Sequence, residues 1–260
     1  ISEIVKYAKL FGLGQKTGIE LSGEAAGTIA GADDKSEDGL KSPWYLGDTL
    51  SAAIGQSGSS YTPIQLANYI ATIANGGKLN KVSLIKSVDN EVAGTSESLA
   101  DINKYTSEYT GVNFEEKDLN INSEYIDAIK KGMLSVTSET GGTSYIVFKN
   151  SDIQVAGKTG TAQVPNGNNN GIFVGFAPYD NPKIAVVAVI EHGGEGTYTA
   201  NVVKPIMEEY FNIDSYDPAK FKEYMMNKMS RYGDEFSERL FNRNYQSEAY
   251  GFGKFNKKQK

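Results

Sequence analysis

An α+β domain is the fold class this sequence predicts, and three observations carry the prediction. Two helical patterns come first, one opening at Thr62 and one at Ser123. Two β-rich runs joined by a cluster of turn residues follow, Ile172–Ala177 and Ile184–Ile190. Helical spacing then resumes over Val202–Phe211, so helices precede and follow an antiparallel hairpin.

In chain order, Ile4, Tyr7, Ala8, Leu10 and Phe11 have helical spacing, and Gly12 and Gly14 stop it. From Lys16 to Leu46 the chain is rich in Gly, Ser and Asp, as in Ala32 to Gly39, and reads as exposed loop. Thr62-Pro63-Ile64-Gln65 is the best helix start in the sequence. Thr62 can cap the free amides, Pro63 suits the first helical position, and Gln65 completes a capping box. Ile64, Ala67, Ile70, Ala71 and Ala74 make its apolar face, and Asn75-Gly76-Gly77 ends it. The next helix is expected from Ser123 to about Val136, with Ile126, Ile129, Met133 and Val136 along one side. Between the two, Val82 to Val92 and the polar stretch Gly94 to Asn122 are expected as strand and irregular structure. Ile153 to Gly157 leads as a strand into Lys158-Thr159-Gly160-Thr161, and a polar loop follows at Asn166 to Asn170. Pro178 to Pro182 turns the hairpin. Ile184 to Ile190 is apolar at every position, which predicts a central strand covered by helices on both faces. These segments place one domain at 1–212, followed by a polar tail at 213–260.

Composition narrows the function classes. The 26 Lys and Arg against 32 Asp and Glu give a net charge of −6, no footprint for a nucleic-acid partner. Cysteine is absent and His192 is the one histidine, so this chain by itself builds no disulfide, cysteine zinc site, iron–sulfur cluster or His-rich metal site. No metal site is expected. The longest clean apolar run, Ile184 to Ile190, is far short of the roughly 20 residues of a membrane span. The chain opens Ile1-Ser2-Glu3, with neither Met nor a signal peptide's basic start. It is therefore expected to be part of a longer protein whose anchor or export signal lies upstream.

Chemistry concentrates in Val155-Ala156-Gly157-Lys158-Thr159-Gly160-Thr161-Ala162-Gln163. Strand periodicity puts Thr159 and Thr161 on one face and Lys158 with Gly160 on the other. Gly160 bares the backbone, so an extended substrate can approach the strand and add to its edge. The hydroxyls are then placed to hold a carboxylate to which Lys158 lends charge. A second Lys-Thr-Gly, at Lys16-Thr17-Gly18, lies in a loop-like setting and reads as a turn. Ser83-Leu84-Ile85-Lys86 has the spacing of a serine nucleophile and its lysine, but its alternating pattern is that of a strand, which would point the two side chains apart. His192 follows the strand beside Gly193 and Gly194; one His suffices for a Ser-His-Asp triad, but without a Gly-x-Ser-x-Gly elbow the position reads as a strand end. Gly141-Gly142-Thr143 reads as a tight turn, and Trp44 and Tyr45 as packing anchors.

Taken with the hairpin, Val155 to Gln163 resembles the third motif of the penicillin-recognising serine transpeptidases. Tyr7 to Gly14 with Thr17 to Glu24 is similar to the segment after that family's second motif, and Ile54-Gly55-Gln56, Thr62 to Ala67 and Ala74 to Gly77 to its middle helix. The match runs in family order from about Tyr7 to Phe211 and is nearest to class B penicillin-binding proteins. Two family motifs, Ser-x-x-Lys on a helix and Ser-x-Asn, do not occur in order here, and the resemblance places both upstream of Ile1.

The resemblance implies a penicillin-recognising, β-lactamase-like fold with a mainly antiparallel five-stranded sheet flanked by helices. It implies a peptidoglycan D,D-transpeptidase that cross-links D-Ala-D-Ala stem peptides through a serine acyl-enzyme. Carried over by residue, Lys158 supplies positive potential and proton relay. Thr159 and Thr161 bind the substrate carboxylate, the Thr161 amide forms half of an oxyanion hole, Gly160 opens the strand to substrate, and Gln163 lines the cleft. No cofactor is implied. The implied partners are peptidoglycan stem peptides, β-lactams, the N-terminal part of the same protein and other cell-wall synthesis proteins. The location implied is the extracytoplasmic face of the bacterial membrane, through an upstream anchor. The alternative is a non-catalytic peptidoglycan-binding or scaffold fragment.

Overall fold

Strand alternation in the hairpin sorts two apolar cores to opposite sides of a sheet, and the helices follow the cores. In a computed structural model that describes residues 1–31, 44–84, 89–90, 95–96, 108 and 116–211, β5 (Ala156–Ala162), β6 (Asn170–Ala177) and β7 (Ile184–Ile190) pair antiparallel in that order. The register sets Thr159 opposite Phe173, Thr161 opposite Gly171, and Ala177 opposite Ile184. Ala156, Val174, Phe176 and Ala185 face one core, which holds Ile70, Ile73, Ile126 and Met133 from α3 (Pro63–Ala74) and α4 (Ser123–Ser138). Val155, Phe173, Ala177, Val186 and Ala188 face the other, with Val147 and Phe148 of α5 (Tyr145–Phe148) and Ala200, Val203 and Met207 of α6 (Gly196–Tyr210). Helices thus cover both faces, the α+β arrangement expected. Close packing has a local requirement: a Cβ at Gly157 would lie 2.3 Å from the ring of Phe173, which stacks on Phe148 with centroids 5.6 Å apart.

The described residues contribute three of the five strands expected. The middle strand of the three is β6; β7 stands at their margin with its residues mostly half-buried. Apolarity along β7 reports the helices on its two faces, as expected. β6 carries Gly171 and Gly175, which dilute its apolar signal. Two-residue ladders join β1 (Lys78–Leu79) to β4 (Lys117–Asp118) and β2 (Asp89–Asn90) to β3 (Thr95–Ser96). The loop expected at Ala32 to Gly39, most of Val82 to Val92 and of Gly94 to Asn122, and the tail 213–260 lie outside the described residues.

Among the helices, α1 (Ser2–Leu10) ends at Phe11 and Gly12, whose φ of 83° only glycine adopts without strain. The capping box at α3 is present: Thr62 Oγ1 accepts from the Gln65 amide (3.3 Å) and Gln65 Oε1 from the Thr62 amide (3.1 Å). Gln65 does more, because its buried Nε2 also donates to the carbonyls of Gln15 (2.6 Å) and Ala26 (2.7 Å), tying the loop after α1 to the helix start. α4 starts as expected, with Asn122 Oδ1 accepting from the Glu124 amide. Its buried line is Ile126, Met133 and Thr137, and Ile129 stays partly exposed. α2 (Leu46–Ala53) begins at the last residue of the loop expected from Lys16 to Leu46. Its start is fixed by pairs with little sequence signature: Asp48 Oδ2 accepts from the Tyr45 amide (2.8 Å) and Trp44 Nε1 donates to Thr49 (2.8 Å). α6 begins six residues before Val202, because sheet packing overrides the weak helix propensity of Gly196 and its threonines. No helix among the described residues is long and apolar enough to cross a membrane.

Two stability outcomes follow. Gln65→Leu keeps volume but leaves two carbonyls and an amide in part-buried contacts without their partner, and is expected to cost about 1–3 kcal/mol in urea unfolding. Gly196→Ala would put a Cβ 2.3 Å from the Gly160 carbonyl oxygen and 2.5 Å from that of Ile172. The helix must then lift off the sheet, at about 1–3 kcal/mol, seen as a drop of several degrees in Tm.

Candidate active site

The residues singled out on β5 lie along the strand edge that β6 does not cover. Thr159 and Thr161 share the α6 face, as the period-two pattern requires. Thr161 Oγ1 accepts from the amide of Gly196 at the start of α6 (3.2 Å), and Thr159 Oγ1 meets Thr143 Oγ1 at 2.9 Å. Thr143 is held in turn, its carbonyl accepting from Thr197 Oγ1 (3.2 Å). Both hydroxyls are thereby fixed by the first turn of one helix. That turn also carries the positive end of the helix dipole, which favours an anion beside it. Because Thr161 accepts from Gly196, its own O–H is left to donate outward.

Thr143, Gly196 and Thr197 were not picked out as site residues. The Gly141-Gly142-Thr143 turn was anticipated as a turn, and the reason for its glycine is plain: a Cβ at Gly142 would fall 2.3 Å from the Val136 carbonyl oxygen. The close turn delivers the Thr143 hydroxyl to Thr159. The run Gly193, Gly194, Gly196 after β7 was the available signal for a close helix approach.

Lys158 projects from the opposite face and is exposed, and its Nζ curls to the strand's own edge to donate to the Thr159 carbonyl (2.6 Å). No carboxylate pairs with it among the described residues. Gly160 lies between the threonines, where a Cβ would sit 3.2 Å from Cβ of Ile172. Gln163 is exposed just past the strand, and its amide donates to Gln56 Oε1 (3.2 Å). Gln56 Nε2 donates to the Thr161 carbonyl (2.7 Å), a link across 105 residues that local pattern does not reveal.

The other candidates stand apart. Thr17 is buried, and Glu24 takes up the donors of the first Lys-Thr-Gly: the Thr17 amide (2.7 Å) and hydroxyl (2.6 Å) and the Gly18 amide (3.1 Å). Ser83 is not helical and donates to Glu20 (2.6 Å); Ile85 and Lys86 lie outside the described residues. His192 occupies a turn after β7 with φ 55°, its amide on Asn170 Oδ1 and its Nδ1 2.9 Å from the Asn168 carbonyl, so it ties the loop after β5 to the end of β7. An apolar recess of about 470 Å³ between α1, α3 and α4, lined by Tyr7, Phe11, Tyr69 and Ile129 among others, includes none of the β5 residues.

Known proteins are similar to this chain in sequence and fold. The family model of the penicillin binding protein transpeptidase domain matches residues 1–208. Peptidoglycan D,D-transpeptidase MrdA of Haemophilus influenzae is 32% identical over 231 residues, 82% of this chain and 33% of that protein. MrdA of Escherichia coli K12 is 29% identical over 223 residues, 80% of this chain and 33% of that protein. The chain thus spans about a third of the length of these curated relatives. Pseudomonas aeruginosa PBP2, solved in complex with WCK 5153, is similar at TM-score 0.67 and 33% identity over 81% of this chain and 44% of that one. Helicobacter pylori PBP2 in its complex with MreC gives TM-score 0.66 and 27% identity over 83% of this chain and 36% of that one. With residues 1–208 matched, this chain belongs to the penicillin-binding protein transpeptidase family, and its relatives are class B members of the PBP2 and MrdA type.

Proposed function

We propose that this chain is the C-terminal portion, 1–212, of a serine D,D-transpeptidase domain followed by a polar tail, 213–260, and that the whole protein cross-links peptidoglycan stem peptides. The observation that carries the reading is the pair of hydroxyls, Thr159 and Thr161, fixed against the first turn of α6 with the Lys158 ammonium at the same strand edge. Family membership and the names of the relatives support it.

In this reading the nucleophilic serine and its lysine come from sequence outside these 260 residues. A stem peptide ending in D-Ala-D-Ala lies along β5 with its terminal carboxylate accepting from Thr159 and Thr161. The serine oxygen attacks the penultimate D-Ala carbonyl as its proton passes to a neighbouring base. The amide N–H of Thr161 stabilises the negative oxygen that forms, a donor worth about 3 kcal/mol of barrier. The tetrahedral species collapses, the terminal D-Ala leaves as a protonated amine, and an acyl-serine ester remains. The amine of a second stem peptide then attacks that ester, forming the cross-link and returning the serine. Lys158 holds the local potential positive and assists proton transfer, Gly160 lets the peptide approach, and Gln163 lines the cleft. β-Lactams acylate the same serine as inhibitors. No cofactor enters. The protein works at the extracytoplasmic face of the membrane, held by an upstream anchor, beside cell-wall synthesis proteins such as the MreC bound to its Helicobacter relative.

Labelling the full-length protein with a fluorescent penicillin tests this. Lys158→Ala is expected to slow acylation by at least about 100-fold, while Tm moves by no more than about 2 °C because the side chain is exposed; full labelling overturns the site. Thr161→Val is expected to weaken recognition of probes that carry the carboxylate by about tenfold, against a much smaller effect on the corresponding methyl ester. Equal effects on both probes would contradict the carboxylate assignment.

A further inference from the structure

In an antiparallel pair, every second residue turns its N–H and C=O toward the partner strand, and the others turn theirs away. On β5 the outward set is fixed by its contacts: Lys158 Nζ meets the carbonyl of Thr159, and Gln56 meets the carbonyl of Thr161 and the amide of Gln163. The amide of Thr161 belongs to the same outward set. The Gln56 carboxamide therefore spans two successive backbone groups on an edge where a neighbouring strand would otherwise sit. Chemistry fixes which way it faces. Only its nitrogen can serve the Thr161 carbonyl (2.7 Å), and only its oxygen can serve the Gln163 amide (3.2 Å). The side chain is aimed by the turn that closes α2, where Gly55 has φ 78° and the Gln56 amide donates back to the Ser51 carbonyl (2.9 Å).

We propose that Gln56 is a specificity-determining residue, a side-chain stand-in for a strand on the edge of β5 that must be displaced from the Thr161 carbonyl by any extended ligand bringing its own N–H there. The proposal rests on the transpeptidase reading for the identity of that ligand. A peptide-like acyl donor with a backbone N–H at this level exchanges one hydrogen bond for another and gains little from it. A ligand without that N–H leaves Gln56 in place and loses little. Gln56 thus flattens the preference for strand-like ligands, and removing it sharpens the preference.

The test compares two penams in the full-length protein, identical except that the side-chain amide is secondary in one and N-methylated in the other. Second-order acylation rates are measured for wild type, Gln56→Ala and Gln56→Glu. Both variants withdraw the donor from Thr161, so the ratio of secondary to N-methylated rates is expected to rise about fivefold, the worth of one ordinary hydrogen bond. An unchanged ratio overturns the proposal. Each ratio is taken within one protein, so partial loss of folded material in a variant cancels. Hydrogen exchange at the Gln163 amide gives a readout that needs no acylation. Exchange is expected to quicken at least about tenfold in Gln56→Ala, and unchanged protection overturns the stand-in whatever the penam rates. Failure of wild type to react with either penam, with Gln163 protection lost in Gln56→Ala, would overturn the transpeptidase reading and the ligand-exchange step together, leaving only the seat of Gln56 on the strand supported.

Discussion

The contact on which the site depends is the landing of the first turn of α6 on β5 and β6. Gly196 rests over the carbonyls of Gly160 and Ile172 at distances that exclude any side chain. That closeness is what lets the Gly196 amide reach Thr161 Oγ1 and brings Thr197 to the carbonyl of Thr143. Thr143 then meets Thr159. Two hydroxyls on one strand face are thus held by a single helix start, and the helix is held by Ala200, Val203 and Met207 buried against Phe173 and its neighbours. A burial term of core size fixes a geometry that the polar contacts alone, each worth about 1 kcal/mol net, would not hold.

The two Lys-Thr-Gly segments show why a tripeptide is not a site. Both place a lysine, a hydroxyl and a glycine in order. In the first, Glu24 accepts from the Thr17 amide and hydroxyl and from the Gly18 amide, which leaves those donors nothing to offer a ligand. In the second, the Thr161 hydroxyl is braced by a donor amide that leaves its own O–H in hand, and no described carboxylate neutralises Lys158. What separates the two segments is the presence of an internal anion in the first, supplied by one glutamate seven residues away.

Legibility in the sequence followed the range of the forces. The start of α3 was readable because capping is local: Thr62, Pro63 and Gln65 lie within four residues. The hairpin was readable because alternation and turn residues are local too, and the strand face shared by Thr159 and Thr161 follows from periodicity alone. The start of α6 was not readable, since tertiary packing places Gly196 and Thr197 in a helix against their propensity. The helices on both faces of β7 were readable because apolarity at every position records what packs on the two sides of a strand. Gln56 belongs to the least legible class, a side chain acting on backbone more than a hundred residues away.

An unpaired strand edge poses opposite demands on this protein. Left bare, its amides and carbonyls invite pairing with any extended chain; closed by a permanent strand, they could recognise nothing. Here two outward carbonyls of β5 are occupied by side chains, Lys158 on Thr159 and Gln56 on Thr161. Side chains are a fitting cover because each can swing away, exchanging its bond for one from a ligand, whereas a covering strand would have to unpair along its length. In the proposed function the lysine at one carbonyl adds charge for an incoming carboxylate, and the neutral carboxamide at the other adds none. The edge is therefore closed to indiscriminate pairing yet ready to open, with the charged end of the cover nearest the hydroxyl that Thr143 braces.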